Sequence, residues 1–159
     1  MNMNKTNVIR LLETAGIPFE TREYEVDESD LSGVHVAGQL GQPVEQVFKT
    51  LVLKGEKTGC FVCCIPVAEE LDLRKAAKAA GDKKAEMLPM KELLPVTGYV
   101  RGGCSPIGMK KKFRTFLDET AVLFDNIAVS AGVRGAQIVI SGESLADYVQ
   151  AELVDLTVE

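Results

Sequence analysis

Apolar residues recur at helical spacing near the start of the chain. Val8, Leu11, Leu12 and Ala15 share one face of a helix predicted from Asn4 to Ala15, with Asn4 as its cap and Gly16 and Pro18 ending it. Phe19 to Val26 reads as a strand whose apolar side carries little beyond Phe19, which suits a sheet edge. An acidic turn, Asp27 to Asp30, leads to a short helix from Val34 to Leu40 stopped by Gly41, and Pro43 to Gln46 forms a second helical turn. Val47 to Lys54 and Gly59 to Pro66 are apolar runs either side of a glycine turn, the pattern of a hairpin. Asp72 caps a helix closed by Gly81, with Leu73, Ala76, Ala77 and Ala80 facing inward and its basic residues outward. Met90 to Leu94 follows Pro89 as a short helix. Phe113 to Leu117, Ala128 to Ser130 and Ala136 to Ile140 are predicted strands, Ser144 to Val149 a capped helix, and Leu153 to Val158 a last strand. This order lacks the regular strand–helix alternation of a doubly wound sheet. It predicts one α+β domain over 1–159: a mixed, mostly antiparallel, barrel-like sheet with peripheral helices.

Two stretches break the pattern. In the first strand of the hairpin, alternation puts Lys49 on the face that carries Val47, Leu51 and Leu53, while Phe48, Thr50 and Val52 fill the other. A lysine on a doubly covered strand is costly unless it is paired or opens into a cavity. It either snorkels to water or stabilises negative charge on a ligand. The second stretch runs from Thr97 to Lys112. Gly98, Gly102, Gly103, Pro106 and Gly108 fall within eleven residues, followed at once by Lys110, Lys111 and Lys112. A tight loop that exposes amides beside a cationic run suits an anionic or carbonyl-bearing ligand; an ordinary turn next to a solvated charge run is the alternative.

Composition narrows the partners. The 159 residues carry a net charge of −5, so any basic surface is local. Lys75, Lys78, Lys83 and Lys84 form one candidate segment, and Arg101, Lys110, Lys111, Lys112 and Arg114 another. The acids concentrate elsewhere, which makes a one-sided basic face for nucleic acid an expectation. Cys60 and Cys63 have metal-site spacing, but residues three apart on a strand face opposite sides. The four cysteines therefore read as small core hydrophobes, and neither metal nor cofactor is expected. No apolar run is long enough to span a membrane and the start lacks a signal-peptide pattern, so a cytoplasmic location is expected.

Five motifs occur in one order. They are Phe48-Lys49-Thr50-Leu51, Leu73-Arg74-Lys75-Ala76-Ala77-Lys78, Lys83-Lys84-Ala85-Glu86-Met87, the run from Thr97-Gly98-Tyr99 to Gly108-Met109-Lys110-Lys111, and Ser130-Ala131-Gly132-Val133-Arg134-Gly135. Together they resemble the YbaK/EbsC family of aminoacyl-tRNA deacylases, stand-alone relatives of the prolyl-tRNA synthetase editing domain, in particular the type that acts on Cys-tRNA(Pro). The resemblance runs from Ile17 to the last strand and implies the same barrel-like fold. It implies that Lys49 is the catalytic lysine and that Tyr24, Gly102, Gly103, Ser105, Pro106, Gly108, Ser130, Ala131 and Gly132 bind substrate. Ala131 stands where the family has glycine, and its methyl would narrow the aminoacyl pocket. The segment from Gly33 to Gly41 also matches less well.

The implied activity is trans-editing: hydrolysis of the ester of a mischarged tRNA, with prolyl-tRNA synthetase as a possible docking partner. Ala-tRNA(Pro) as substrate, or a non-catalytic module that holds an RNA end, are the alternatives. With His35 the lone histidine, no Ser-His-Asp set can form, which favours positioning and electrostatics. The resemblance implies that the substrate's thiol or a tRNA hydroxyl takes part, that Lys49 holds a phosphate or polarises the ester, and that amides of the two glycine loops receive the carbonyl. Cys104 and His35 are weak candidates for chemistry. The two lysine segments, with Arg101, are expected to flank the pocket mouth and contact tRNA phosphates.

Overall fold

The computed structural model describes residues 5–159. Asn4, expected as the first cap, lies outside them. Helix α1 (Asn7–Ala15) is capped by Thr6, whose hydroxyl accepts from the Ile9 amide at 3.2 Å, and Gly16 ends it in the left-handed conformation. Strand β1 (Phe19–Glu23) pairs only with β7 (Ala136–Ile140), so it is the edge strand its single apolar residue suggests. Helix α2 (Gly33–Leu40), capped by Ser32, and a 3-10 turn (Val44–Gln46) lead into the hairpin of β2 (Phe48–Gly55) and β3 (Gly59–Pro66), which pair antiparallel throughout.

Helix α3 (Leu73–Ala80) runs from the Asp72 cap to Gly81, but Leu73 is exposed while Ala76, Ala77 and Ala80 are buried. Leu73, at the first helical position, lies outside the buried stripe, which corrects its inward assignment. Strand β4 (Ala85–Met87) was not foreseen; three residues are too few to show a period. Helix α4 (Met90–Thr97) extends past Leu94 through Pro95 to Thr97, whose hydroxyl bonds the Leu93 carbonyl at 2.7 Å. Strands β5 (Thr115–Asp118), β6 (Ile127–Ser130) and β7, helix α5 (Gly142–Val149) and β8 (Glu152–Val154) complete the chain.

The strands form two sheets, ordered β1-β7-β6 and β4-β2-β3-β5-β8. The larger is mixed: β5 pairs parallel with both β3 and β8. A single bridge, Val47 to Ala128, links the sheets, and no closed barrel forms among the described residues. Closure would need continuous pairing where the chain offers one bridge and three-residue edge strands.

The larger sheet is covered on both faces. Phe48, Val52, Val62 and Cys64 join α1, α5, β6 and β7 in one core, and Leu53, Phe61, Cys63, Ile65 and Phe116 pack under α3 in a second. The Phe61 and Phe116 rings meet edge-on at 5.8 Å in the second core. Full burial stabilises each large side chain by about 1.5–3 kcal/mol, and this double cover makes β2 a rigid base for Lys49.

Candidate active site

A cavity of about 450 Å³ opens between β2, the start of α2, the β4–α4 connection, the loop at Arg101–Cys104 and the β6–β7 pair. Lys49, half-buried, is one of its walls, together with Thr50, Tyr24 and Arg101. Removal from water holds the Lys49 ammonium below its ordinary pKa, and the charge of Glu70 opposes that shift. No aspartate or glutamate lines the cavity, whereas Lys49 and Arg101 both do. The space therefore favours a ligand that carries or develops negative charge.

The glycine loop is held by its own side chains. Tyr99 donates its hydroxyl to the Ile107 carbonyl, the Ile107 amide donates to Ser105 Oγ at 3.3 Å, and the Gly103 amide donates to Val100 O at 3.0 Å. Arg134 Nε holds the Arg101 carbonyl at 2.7 Å. Gly102 has φ +85°, a conformation that side chains resist. The Gly102 and Cys104 amides have no acceptor among the described residues, and both residues line the cavity. Of the expected loop residues, Gly102 and Arg101 reach the cavity. Gly103, Ser105, Pro106 and Gly108 build the loop instead, with Ser105 fully buried.

The second loop contributes one side chain. Ser130 lines the cavity, but its hydroxyl accepts from the Gly132 amide at 3.1 Å, and the Ala131 amide is bound to Ala136 O. These two amides are consumed, and of the two glycine loops only the first places residues with unpaired amides on the cavity. Ala131 is buried in the first core and does not line the cavity, so its methyl does not narrow it. Gly132 faces Val8 and Tyr99 on the other side of the loop.

Sequence reasoning missed Gln137, which lies opposite Ser130 in the β6–β7 register and lines the cavity. A lone glutamine inside the apolar run Ala136–Ile140 was the available signal. It also missed Met87, Met90 and Leu93, which give the cavity its apolar rim.

Cys60 packs on the first core and Cys63 lies in the second, so the two face opposite sides of β3 as the alternation requires. Cys104 does line the cavity, but burial, with Cys64 adding to it, pushes its thiol up to about 12, far from a thiolate at neutral pH. His35 sits outside the cavity, near Asp27 and Asp30. Cys104→Ser should accordingly keep the ester hydrolysis that the sequence motifs imply within about threefold of wild type, since a thiol held protonated is a poor nucleophile. Complete loss of turnover in folded Cys104→Ser protein would contradict this.

The basic segments are less uniform than expected. Lys75 is tied to Asp155 at 2.8 Å and to the Thr157 carbonyl at 2.7 Å, on the α3 side of the sheet. Lys84 borders a separate depression with Glu56 and Glu86. Lys110 reaches the Pro95 carbonyl and Lys112 the Gln150 amide oxygen, while Lys111 and Lys112 line a second groove with Phe113 and Tyr148. Of the residues expected to contact tRNA, Arg101 alone lines the main cavity.

A half-buried lysine, Arg101 and two residues with unpaired backbone amides line one cavity without acids on a two-sheet α+β frame, an arrangement suited to an ester or a phosphate. The chain belongs to the aminoacyl-tRNA editing domain family, whose model matches residues 32–148. It is 47% identical over 153 residues to an Enterococcus faecalis protein provisionally named Cys-tRNA(Pro)/Cys-tRNA(Cys) deacylase EbsC, covering 96% of this chain and 93% of that one. A crystal structure provisionally described as a trans-editing enzyme for prolyl-tRNA synthetase superposes with a TM-score of 0.81 at 26% identity, over 93% of this chain and 92% of that one. The hypothetical protein APE2540 shares the fold, with a TM-score of 0.86 at 19% identity, over 95% of this chain and 99% of that one. No helix among the described residues is long and apolar enough to cross a membrane.

Proposed function

We propose that this chain is an aminoacyl-tRNA deacylase that edits mischarged tRNA in trans, with Cys-tRNA(Pro) as its preferred substrate. The observation that carries the reading is Lys49, half-buried in a cavity without acids that Gly102 and Cys104, whose amides are unpaired, also line. The ester carbonyl is received by those amides while the Lys49 ammonium offsets the charge that develops on its oxygen. The attacking group is water or the substrate's own thiol rather than a protein side chain. Attack forms a bond to the carbonyl carbon, the ester C–O bond breaks, and the departing tRNA hydroxyl takes up the proton released by the attacker. The relative's name, which includes both Cys-tRNA(Pro) and Cys-tRNA(Cys), supports cysteine as the amino acid removed.

Incubation with Cys-, Ala- and Pro-charged tRNA(Pro) tests this. Amino acid released from Cys-tRNA(Pro) at substoichiometric protein is expected. Stoichiometric binding without release would mean a binding module, and faster release of alanine would reassign the substrate. Adding prolyl-tRNA synthetase to the same assay tests the proposed partnership, which should lower the apparent KM if the two proteins meet on the tRNA.

The lysine run after the glycine loop is proposed to hold the tRNA backbone. Neutralising Lys110, Lys111 and Lys112 together should raise the apparent KM for charged tRNAs whatever the anticodon, because phosphate contacts read no sequence. A salt titration of tRNA binding checks it: the slope of log affinity against log salt should flatten in the triple alanine variant. Equal affinities and slopes in both proteins would remove these lysines from the interface.

A further inference from the structure

Gln137 is 6% exposed, and its Oε1 is, among the described residues, the one buried side-chain oxygen or nitrogen without a hydrogen-bond partner. An unpaired buried amide oxygen destabilises the fold, a cost a ligand can offset by donating to it. Its position is specific. The Gln137 side chain lines the active-site cavity, opposite Ser130 in the strand pair and together with Lys49 and Arg101; the oxygen itself has no exposed surface, and a half-turn of the amide plane brings it to the cavity.

We propose that Gln137 is a specificity-determining residue: its amide oxygen accepts a hydrogen bond from the α-amino group of the aminoacyl ester. The inference rests on the deacylase reading above. An aminoacyl end brings an amine with several N–H donors, and the cavity holds two cations and no carboxylate to receive it. The hydroxyl of Ser130 already accepts from Gly132, whereas the glutamine oxygen has no partner and, once turned to the cavity, is free to accept on that wall. A neutral acceptor has a further advantage there. A carboxylate in the same cavity would be drawn to Lys49 or Arg101 and neutralise the charge needed at the ester, whereas an amide accepts the amine and leaves the lysine free.

The test compares Cys-tRNA(Pro) with N-acetyl-Cys-tRNA(Pro) as substrates for wild type, Gln137→Met and Gln137→Glu, with thermal melting of each protein. Wild type should prefer the free amine by at least about 10-fold in kcat/KM, the worth of one hydrogen bond to a charged group. Gln137→Met should lose that preference and about 10- to 100-fold in kcat/KM, chiefly in KM, with a melting temperature equal to or above wild type. Gln137→Glu keeps an acceptor of the same reach and should keep the preference, with a lower kcat as its charge pairs with the cations. Undiminished preference in Gln137→Met would overturn the proposal. So would a loss of activity accompanied by a lowered melting temperature, which would make the amide a structural group. Wild-type protein that releases nothing from Cys-tRNA(Pro) would overturn the deacylase reading and this inference with it, whereas an active wild type with an indifferent Gln137→Met sinks the inference alone.

Discussion

Lys49→Ala is expected to lower deacylation by at least about 100-fold, the scale seen when one preorganised charge-stabilising group is removed. The same change should shift unfolding by no more than about 1 kcal/mol, because the side chain borders the cavity while Phe48, Val52 and Leu53 hold the strand. Lys49→Arg should recover little, since a planar guanidinium cannot occupy the position of a compact ammonium. The reaction also carries a signature in pH. Burial holds the Lys49 pKa below the ordinary lysine value, so the charged form is lost at lower pH than in an exposed lysine. Deacylation corrected for spontaneous ester hydrolysis should thus fall on the alkaline side, with its apparent pKa below 10.5. Turnover near wild type in Lys49→Ala would remove the lysine from the chemistry.

Gly103→Val is expected to damage the same site from behind. A Cβ at Gly103 would stand 3.1 Å from the Arg134 amide nitrogen and from Val133 Cα and carbonyl carbon, all backbone. Backbone cannot rotate away, so either the Arg101–Cys104 loop or the turn at Val133 must shift. Such overpacking costs about 1–3 kcal/mol. The functional cost is larger, because the amides of Gly102 and Cys104 move with the loop, and a misplacement near 1 Å can cost about 10²-fold in rate. Kinetics and thermal melting of Gly103→Ala and Gly103→Val together check this, with alanine the milder of the two. Full activity in the valine variant would show that the loop does not position the donors.

Much of this arrangement is legible in the sequence. The β2–β3 hairpin, the α3 caps and β7 were read with correct bounds or nearly so, because period and capping chemistry agree there. Lys49 stood out because a charge interrupted an apolar alternation. The parallel pairing of β5 with β3 and β8 was invisible, since alternation says which face a residue takes and nothing about its neighbouring strand. The glycine loops divided for a similar reason. A glycine signals tight backbone, yet whether that backbone serves a ligand or its own fold depends on which amides are already bound, as at Gly103 and Gly132. Likewise the charge of Lys75 was read correctly and its commitment to Asp155 could not be, because 80 residues separate the pair.

The two faces of the larger sheet set the timing of assembly in the cell. Leu156 is fully buried in the second core, and Leu145 and Ala146 help close the first against α1. The first core is incomplete until α5 has been synthesised, and the second until Leu156 has. Until then the Phe61–Pro66 run, buried in the folded protein, has only part of its cover, from α1 on one face and α3 on the other. A chain cut before Leu145 is therefore expected to leave apolar surface of this hairpin exposed and to give less soluble protein than the full chain.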